Sequence, residues 1–223
     1  MKKRKRSKKI PEVRKIYRIL ESSFGDLGWW PGETAFEVVV GAILTQNTAW
    51  SNVEKAIEAL KKNGLLNIAA IKKERPSRLA RIIRPSGYHR MKAARLKYVC
   101  RFLSKECGGK LARLKKQETG ALRKKLLEVN GIGPETADSI LLYALEKPVF
   151  VVDAYTKRIF SRHGLICENA SYDEVQSFVS ERFDKDVRAL NQFHALLVEV
   201  GKRFCKKKRG LCGECPLGVL LER

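Results

Sequence analysis

The sequence predicts an all-α protein. Apolar residues recur at helical spacing along almost the whole chain, glycine and proline punctuate the gaps, and Leu122 to Ala144 reads as two helices joined by a Gly-Ile-Gly turn.

The first strong segment, Phe36 to Leu44, is nearly apolar all round. A buried strand would fit that composition. The polar Thr45-Gln46-Asn47-Thr48 that follows, and helical neighbours on both sides, favour a central buried helix. Val53, Ala56, Ile57 and Leu60 make the next helical stripe; Leu96, Val99, Cys100 and Leu103 make another. Phe193, Leu196, Leu197, Val200 and Phe204 form a third near the C-terminal end. Gly64, Pro76, Pro85-Ser86-Gly87, Gly108-Gly109 and Pro148 mark connections. No solenoid-period repeat interrupts the pattern.

The turn in the 122–146 segment has its own chemistry. Leu122, Leu126, Leu127 and Val129 line a short helix, and Gly131 and Gly133 permit positive φ and close backbone approach. Pro134 suits the first turn of the next helix, whose Ala137, Ile140, Leu141 and Ala144 make a buried face. The N–H groups and dipole at that helix start favour an anion such as phosphate. Packing alone would also account for a glycine turn between helices.

Charge favours the anion. The chain has 46 Lys plus Arg against 24 Asp plus Glu, a formal +22 over 223 residues. Such a balance points to nucleic acid. No apolar run is long enough to span a bilayer, so the charge does not signal an integral membrane protein. Residues 1–10 are expected to be a disordered basic tail that adds salt-sensitive DNA affinity or simply solubility. The charged start lacks an apolar stretch behind it, so no signal peptide is expected.

Fifteen residues beyond Asp138 stands Asp153, in Val151-Val152-Asp153. A carboxylate just past a DNA clamp is placed to work on a deoxyribose; Asp is equally suited to cap the helix beginning after it. Both roles are compatible. Cys205-x6-Cys212-x2-Cys215-Pro216 has metal-type spacing. Zinc with three thiolates and one nitrogen fits that composition. Cys100 and Cys107 read as core or surface thiols. His89, His163 and His194 show no ligand spacing among themselves.

Taken together, these residues resemble the endonuclease III superfamily of helix–hairpin–helix DNA glycosylases. The resemblance runs from about Phe24 to Pro216. It is carried by Leu44-Thr45-Gln46-Asn47-Thr48, Pro85-Ser86-Gly87-Tyr88 ahead of Lys92-Ala93, the hairpin, Val151-Val152-Asp153 and the cysteine loop. Trp29-Trp30-Pro31, Trp50 shortly after the Thr-Gln-Asn-Thr run, and Arg84-Pro85-Ser86-Gly87 make it most similar to the bacterial 3-methyladenine glycosylases of endonuclease III type.

The resemblance implies a two-lobed fold. Residues 35–148 would form the central helical barrel lobe with the helix–hairpin–helix at 122–146. Residues 11–34 with 149–223 would form the second lobe, carrying the cysteine loop at 205–215. It implies that Asp153 is catalytic, and that Trp29, Trp30, Pro31 and Trp50 form a pocket for a flipped base; core packing is the ordinary alternative for tryptophan. Gln46 matches a residue that fills the gap left by that base, or else is a solvated helix cap. Gly131, Ile132, Gly133, Glu135 and Thr136 would contact DNA at the hairpin. Lys206, Lys207, Lys208 and Arg209 would contact phosphate from the cysteine loop.

Two departures are informative. Glu135 stands where bifunctional members carry the lysine that forms a Schiff base, and a carboxylate cannot form that imine. The family's cluster loop has a fourth cysteine where this chain has Leu221. A [4Fe–4S] cluster on Cys205, Cys212 and Cys215 would need Cys167, His163 or a terminal carboxylate as fourth ligand; zinc or no metal remains open, since some relatives of this branch lack the cluster. The expected protein is a monomeric, cytoplasmic, nucleoid-associated, monofunctional DNA N-glycosylase of base-excision repair. Its substrate would be damaged double-stranded DNA, with alkylated purines, 3-methyladenine foremost, as the target. An endonuclease III-like glycosylase/lyase is the alternative enzyme, and a non-catalytic helix–hairpin–helix DNA-binding module the alternative of another class.

Overall fold

A computed structural model describes residues 12–29 and 32–221. Among these residues the structure is helical with no strands; the single bridge joins Cys205 to Gly210. The basic tail, Trp30 and Pro31 lie outside the described residues. No helix among the described residues is long and apolar enough to cross a membrane. The chain divides into two compact units, residues 30–149 and residues 1–29 with 150–223.

In the unit spanning 30–149, α2 (Ala35–Leu44) is the central element, with every residue from Phe36 to Leu44 buried. Its nonapolar exception, Glu37, is neutralised by Lys61 at 3.0 Å, and Thr34 caps the helix by accepting the Glu37 N–H. Around it pack α3 (Trp50–Lys62), α4 (Ile68–Lys73), α5 (Pro76–Ile82), α6 (His89–Cys107), α7 (Thr119–Leu127) and α8 (Pro134–Ser139). The stripes read in α3 and α6 are all buried. Cys100 and Cys107 are buried free thiols of α6. Asn47 takes left-handed backbone, φ +53°, turning the chain out of α2. Asparagine tolerates that conformation better than most residues.

Two lysines of α6 are buried and use their ammonium groups as hubs. Lys92 Nζ donates to Leu44 O (2.7 Å), Thr48 Oγ1 (2.6 Å) and Ser86 O (2.7 Å), so three N–H groups meet three acceptors. Thr48 Oγ1 donates onward to Ser86 O. The Thr-Gln-Asn-Thr run and the Pro-Ser-Gly turn are thereby tied together by one side chain. Burial pushes the Lys92 pKa down to about 8, which still leaves it charged at neutral pH. Lys97 Nζ donates to Lys72 O at 2.9 Å and to Glu74 O, satisfying carbonyls at the end of α4.

In the other unit, α1 (Val13–Phe24), α9 (Ala154–Arg162), α10 (Tyr172–Ser180) and α11 (Val187–Arg203) surround an aromatic core. Phe193 of α11 packs against Phe183 (ring centroids 4.8 Å) and Phe150 (5.6 Å), and Tyr17 of α1 meets Phe183 at 5.1 Å. A Cβ at Gly201 would lie 2.2 Å from the Tyr155 ring, so α9 and α11 approach closely only because residue 201 has no side chain. Gln192 holds the segment leading to Trp29 by donating to Gly25 O (2.6 Å) and accepting the Leu27 N–H (3.1 Å).

Removing the Lys92 hub should therefore be costly. Lys92→Met should destabilise the protein by about 3 kcal/mol, because it removes the charged donor shared by Leu44 O, Thr48 Oγ1 and Ser86 O, with Ser86 O keeping the Thr48 hydroxyl. Chemical denaturation measures this. A loss below ~1 kcal/mol would mean that the hub is dispensable.

Candidate functional site

The hairpin joins α7 to α8. Glu118 caps α7 by accepting the Gly120 and Ala121 N–H groups (2.7 and 2.6 Å). The helix starts three residues earlier than the Leu122 stripe suggests and leaves Val129 beyond its end. Arg123 of α7 and the fully buried Asp138 of α8 form a two-pronged ion pair, 2.8 and 3.1 Å, that clamps the helices together. After Ser139 the chain continues as a wider π-helical turn, Ile140–Ala144, which keeps Ile140, Leu141 and Ala144 in the core.

Between the helices, Ile132 N–H bonds to Val129 O at 3.0 Å. Gly131 has φ +85°, and a Cβ there would lie 2.4 Å from Arg95 Cγ, so both backbone and packing demand glycine. Gly133 does not use the positive φ open to glycine: it is extended, φ −93°, as the residue capping α8. A Cβ at Gly133 would meet nothing within 4 Å, so its smallness matters only to something approaching from outside. Ile132 and Thr136 are buried, so their side chains are not offered to a ligand, and the Ile132 N–H is already taken by Val129 O; Glu135 is exposed.

Gln46 is engaged with this hairpin. Its Nε2 donates to Gly131 O (3.1 Å) and Thr136 Oγ1 (2.9 Å), while Arg95 Nη1 donates to its Oε1. The amide therefore braces the turn, which is more than a solvated cap does. The Arg95 link was not visible in the sequence, although Arg95 follows Lys92 by three residues, on the same helix face. Trp50 begins α3 and packs half-buried against the core of its unit.

In the other unit, Asp153 has extended backbone and is the N-cap of α9. Its Oδ1 accepts the Thr156 N–H at 2.7 Å, and its Oδ2 lies 3.6 Å from His194 Nε2. Two bonds steady the approach to it: Gln176 Nε2 donates to Phe150 O (2.7 Å) and Val152 N–H to the Tyr172 hydroxyl (3.3 Å). Burial pushes the Asp153 carboxyl up, but His194 and the Thr156 N–H and hydroxyl outweigh it, and the pKa ends below the usual carboxylate range. Asp153 is thus both a cap and a largely buried anion. His194, 5 % exposed, could not be selected from the sequence, because its only signal there is a helical offset on an apolar stripe. Trp29 is half-buried with Lys202 Nζ 5.2 Å from its ring centroid, a cation–π contact.

The cysteine loop is pinned by arginines of α9. Arg158 Nε donates to Cys205 O (2.8 Å); Arg162 donates to Lys206 O (2.8 Å), Lys207 O (3.0 Å) and Cys205 Sγ (3.2 Å). Lys206, Lys207, Lys208 and Arg209 are exposed. Beneath the loop lies a mostly apolar cavity of about 330 Å³ lined by Cys205, Cys212, Cys215, His163 and Leu221. Cys167 is exposed and does not line it. Burial, with the neighbouring Cys205 and Cys212 sulfurs, pushes the Cys215 thiol up. No three His, Cys, Asp or Glu side chains among the described residues are close enough to hold a single metal ion.

The profile of the HhH-GPD superfamily base excision DNA repair proteins matches residues 40–185. A Methanocaldococcus jannaschii protein named "Putative DNA repair glycosylase" is 49 % identical over 211 residues, covering 94 % of this chain and 95 % of that protein. Endonuclease III of Thermotoga maritima is 29 % identical, covering 82 % of this chain and 80 % of its own. The crystal structure of H. pylori 3-methyladenine DNA glycosylase bound to 1,N6-ethenoadenine superposes with a TM-score of 0.75 at 32 % identity, covering 86 % and 98 %. An endonuclease III–DNA covalent intermediate shares the fold, with a TM-score of 0.80 at 22 % identity over 93 % of each chain. With the helix–hairpin–helix and the aspartate that follows it in place, the chain belongs to the HhH-GPD superfamily of base excision DNA repair proteins, within the endonuclease III group of helix–hairpin–helix DNA glycosylases.

Proposed function

We propose that this protein is a monofunctional DNA N-glycosylase that removes alkylated purines, 3-methyladenine foremost, and leaves an abasic site. The observation that carries the reading is Asp153, a buried carboxylate held below its usual pKa and therefore ionised at neutral pH. Cleaving an N-glycosidic bond builds positive charge on the sugar. A fixed anion in a partly desolvated setting stabilises that charge without having to reorganise. The cap bond from Thr156 orients one carboxylate oxygen, leaving Oδ2, on the His194 side, as the atom for the sugar. His194 is then a positioning residue.

The hairpin N–H groups and the exposed Lys206 to Arg209 hold the phosphates, while Gln46, braced on the hairpin, fills the place of the extruded base. Trp29 and Trp50, with Trp30 and Pro31, would stack on that base. An alkylated purine is cationic, so an indole face favours it over neutral bases; the Lys202 ammonium already rests on Trp29 in this way. The likeness to the H. pylori 3-methyladenine glycosylase supports the same substrate class. Glu135 supports the absence of lyase chemistry, because it offers no amine at the lysine position. The cavity beneath the cysteine loop supports a [4Fe–4S] cluster over zinc: its donors ring an apolar space instead of converging on one ion. Such a cluster would be structural, rigidifying the arm that presents Lys206 to Arg209.

Asp153→Asn retains an oxygen for the Thr156 cap and loses the charge. It should lower base release by at least ~10²-fold with duplex binding kept. Near-normal turnover would reduce Asp153 to a cap. The carboxyl's stabilising contribution is present above the unfolded pKa of ~3.9 and lost as pH falls through its lower native value. The variant should therefore also flatten the acid limb of the stability profile.

Borohydride should trap no covalent adduct with lesion-containing duplex, and product strands should stay intact until alkali is added. A robust trapped complex would overturn the monofunctional reading. Introducing an amine by Glu135→Lys should create weak trapping, since position 135 is exposed in the first turn of α8.

A further inference from the structure

The cavity under the cysteine loop presents three thiols, and the loop position where a fourth donor would stand is Leu221, which lines the cavity and cannot ligate. One other side chain there can. His163 caps the C-terminal end of α9, and its Nδ1 is buried with no hydrogen-bond partner. A buried imidazole nitrogen without a partner costs free energy unless something fills its valence. Nothing else about the position requires histidine, since the main-chain cap bond, His163 N–H to Ile159 O at 3.1 Å, is available to any residue but proline.

We propose that His163 is the fourth ligand of a [4Fe–4S] cluster held by Cys205, Cys212 and Cys215. The inference rests on the cluster reading above and adds to it the ligand that the cysteine spacing lacks. Three facts converge on it. The histidine comes from α9, the same helix whose Arg158 and Arg162 fix the loop, so ligand and loop share one rigid support. Arg162 Nη1 already donates to Cys205 Sγ at 3.2 Å, an interaction that favours the thiolate a metal needs. The competing cysteine, Cys167, is exposed and away from the cavity. Replacing a thiolate by a neutral imidazole makes the ligand set less negative, so the cluster should be reduced more easily than its all-cysteine counterpart.

The test uses full-length protein reconstituted anaerobically with iron and sulfide, then reduced and examined by pulsed EPR with and without ¹⁵N-histidine. Wild-type protein should carry a cluster with a strongly coupled nitrogen that changes isotope signature on histidine labelling. His163→Cys should keep the iron and sulfide content, lose the nitrogen coupling and shift the reduction potential to lower values. His163→Ala should hold the cluster less firmly, losing iron to a chelator at least several-fold faster than wild type. A wild-type cluster with full iron content and no nitrogen coupling would overturn His163 as ligand and leave the cluster reading intact. Reconstituted wild-type protein without iron, or with one zinc, would overturn both.

Discussion

One face of α6 sets the geometry on which the hairpin depends. Lys92 and Arg95 stand three residues apart, so their side chains leave the helix on the same side. Lys92 gathers the end of α2, Thr48 and the Ser86 turn around one buried ammonium. That fixes the short segment in which Gln46 sits. Arg95 then engages Gln46 and lies where a Cβ on Gly131 would be, while Gln46 holds the Gly131 carbonyl and the Thr136 hydroxyl. The two charged residues thus convert a mobile-looking polar stretch into a brace for the hairpin. The Arg123–Asp138 pair fixes the helices on either side. Their cost is desolvation, which the depressed Lys92 pKa records.

A similar economy governs Asp153. One oxygen satisfies the start of α9, and that bond helps to keep the carboxyl ionised despite burial. A carboxylate isolated in the same surroundings would protonate and lose the charge the proposed chemistry needs. Capping and the proposed catalytic role are therefore compatible here, because the cap is part of what prepares the anion. His194 contributes the second favourable interaction from a different helix, α11, whose apolar stripe places it beside Asp153.

Much of this was legible in the sequence because it follows from periodicity and from residues with few conformational options. The α2, α3, α6 and α11 stripes, Pro134 at the start of α8 and Gly131 in the turn belong to that group. What escaped were long-range side-chain contacts, whose sequence separation is unrelated to any local pattern. Lys92 looks like one lysine among many until its three acceptors, 6 to 48 residues away, are seen. Arg95 and His194 are similar cases. Both hairpin glycines permit positive φ, and the sequence does not say which uses it: Gly131 does, while Gly133 caps α8 in extended backbone.

Asp153 and Glu135 together imply that a base is released while the DNA backbone stays whole. The most direct measurement is a panel of duplexes, each with one defined lesion, incubated with wild-type protein and scored separately for free base and for strand scission. The expected products are free alkylated purine, with 3-methyladenine released fastest, and intact strands that break only after alkali. Strand scission keeping pace with base release, or binding without release of any base across the panel, would contradict it.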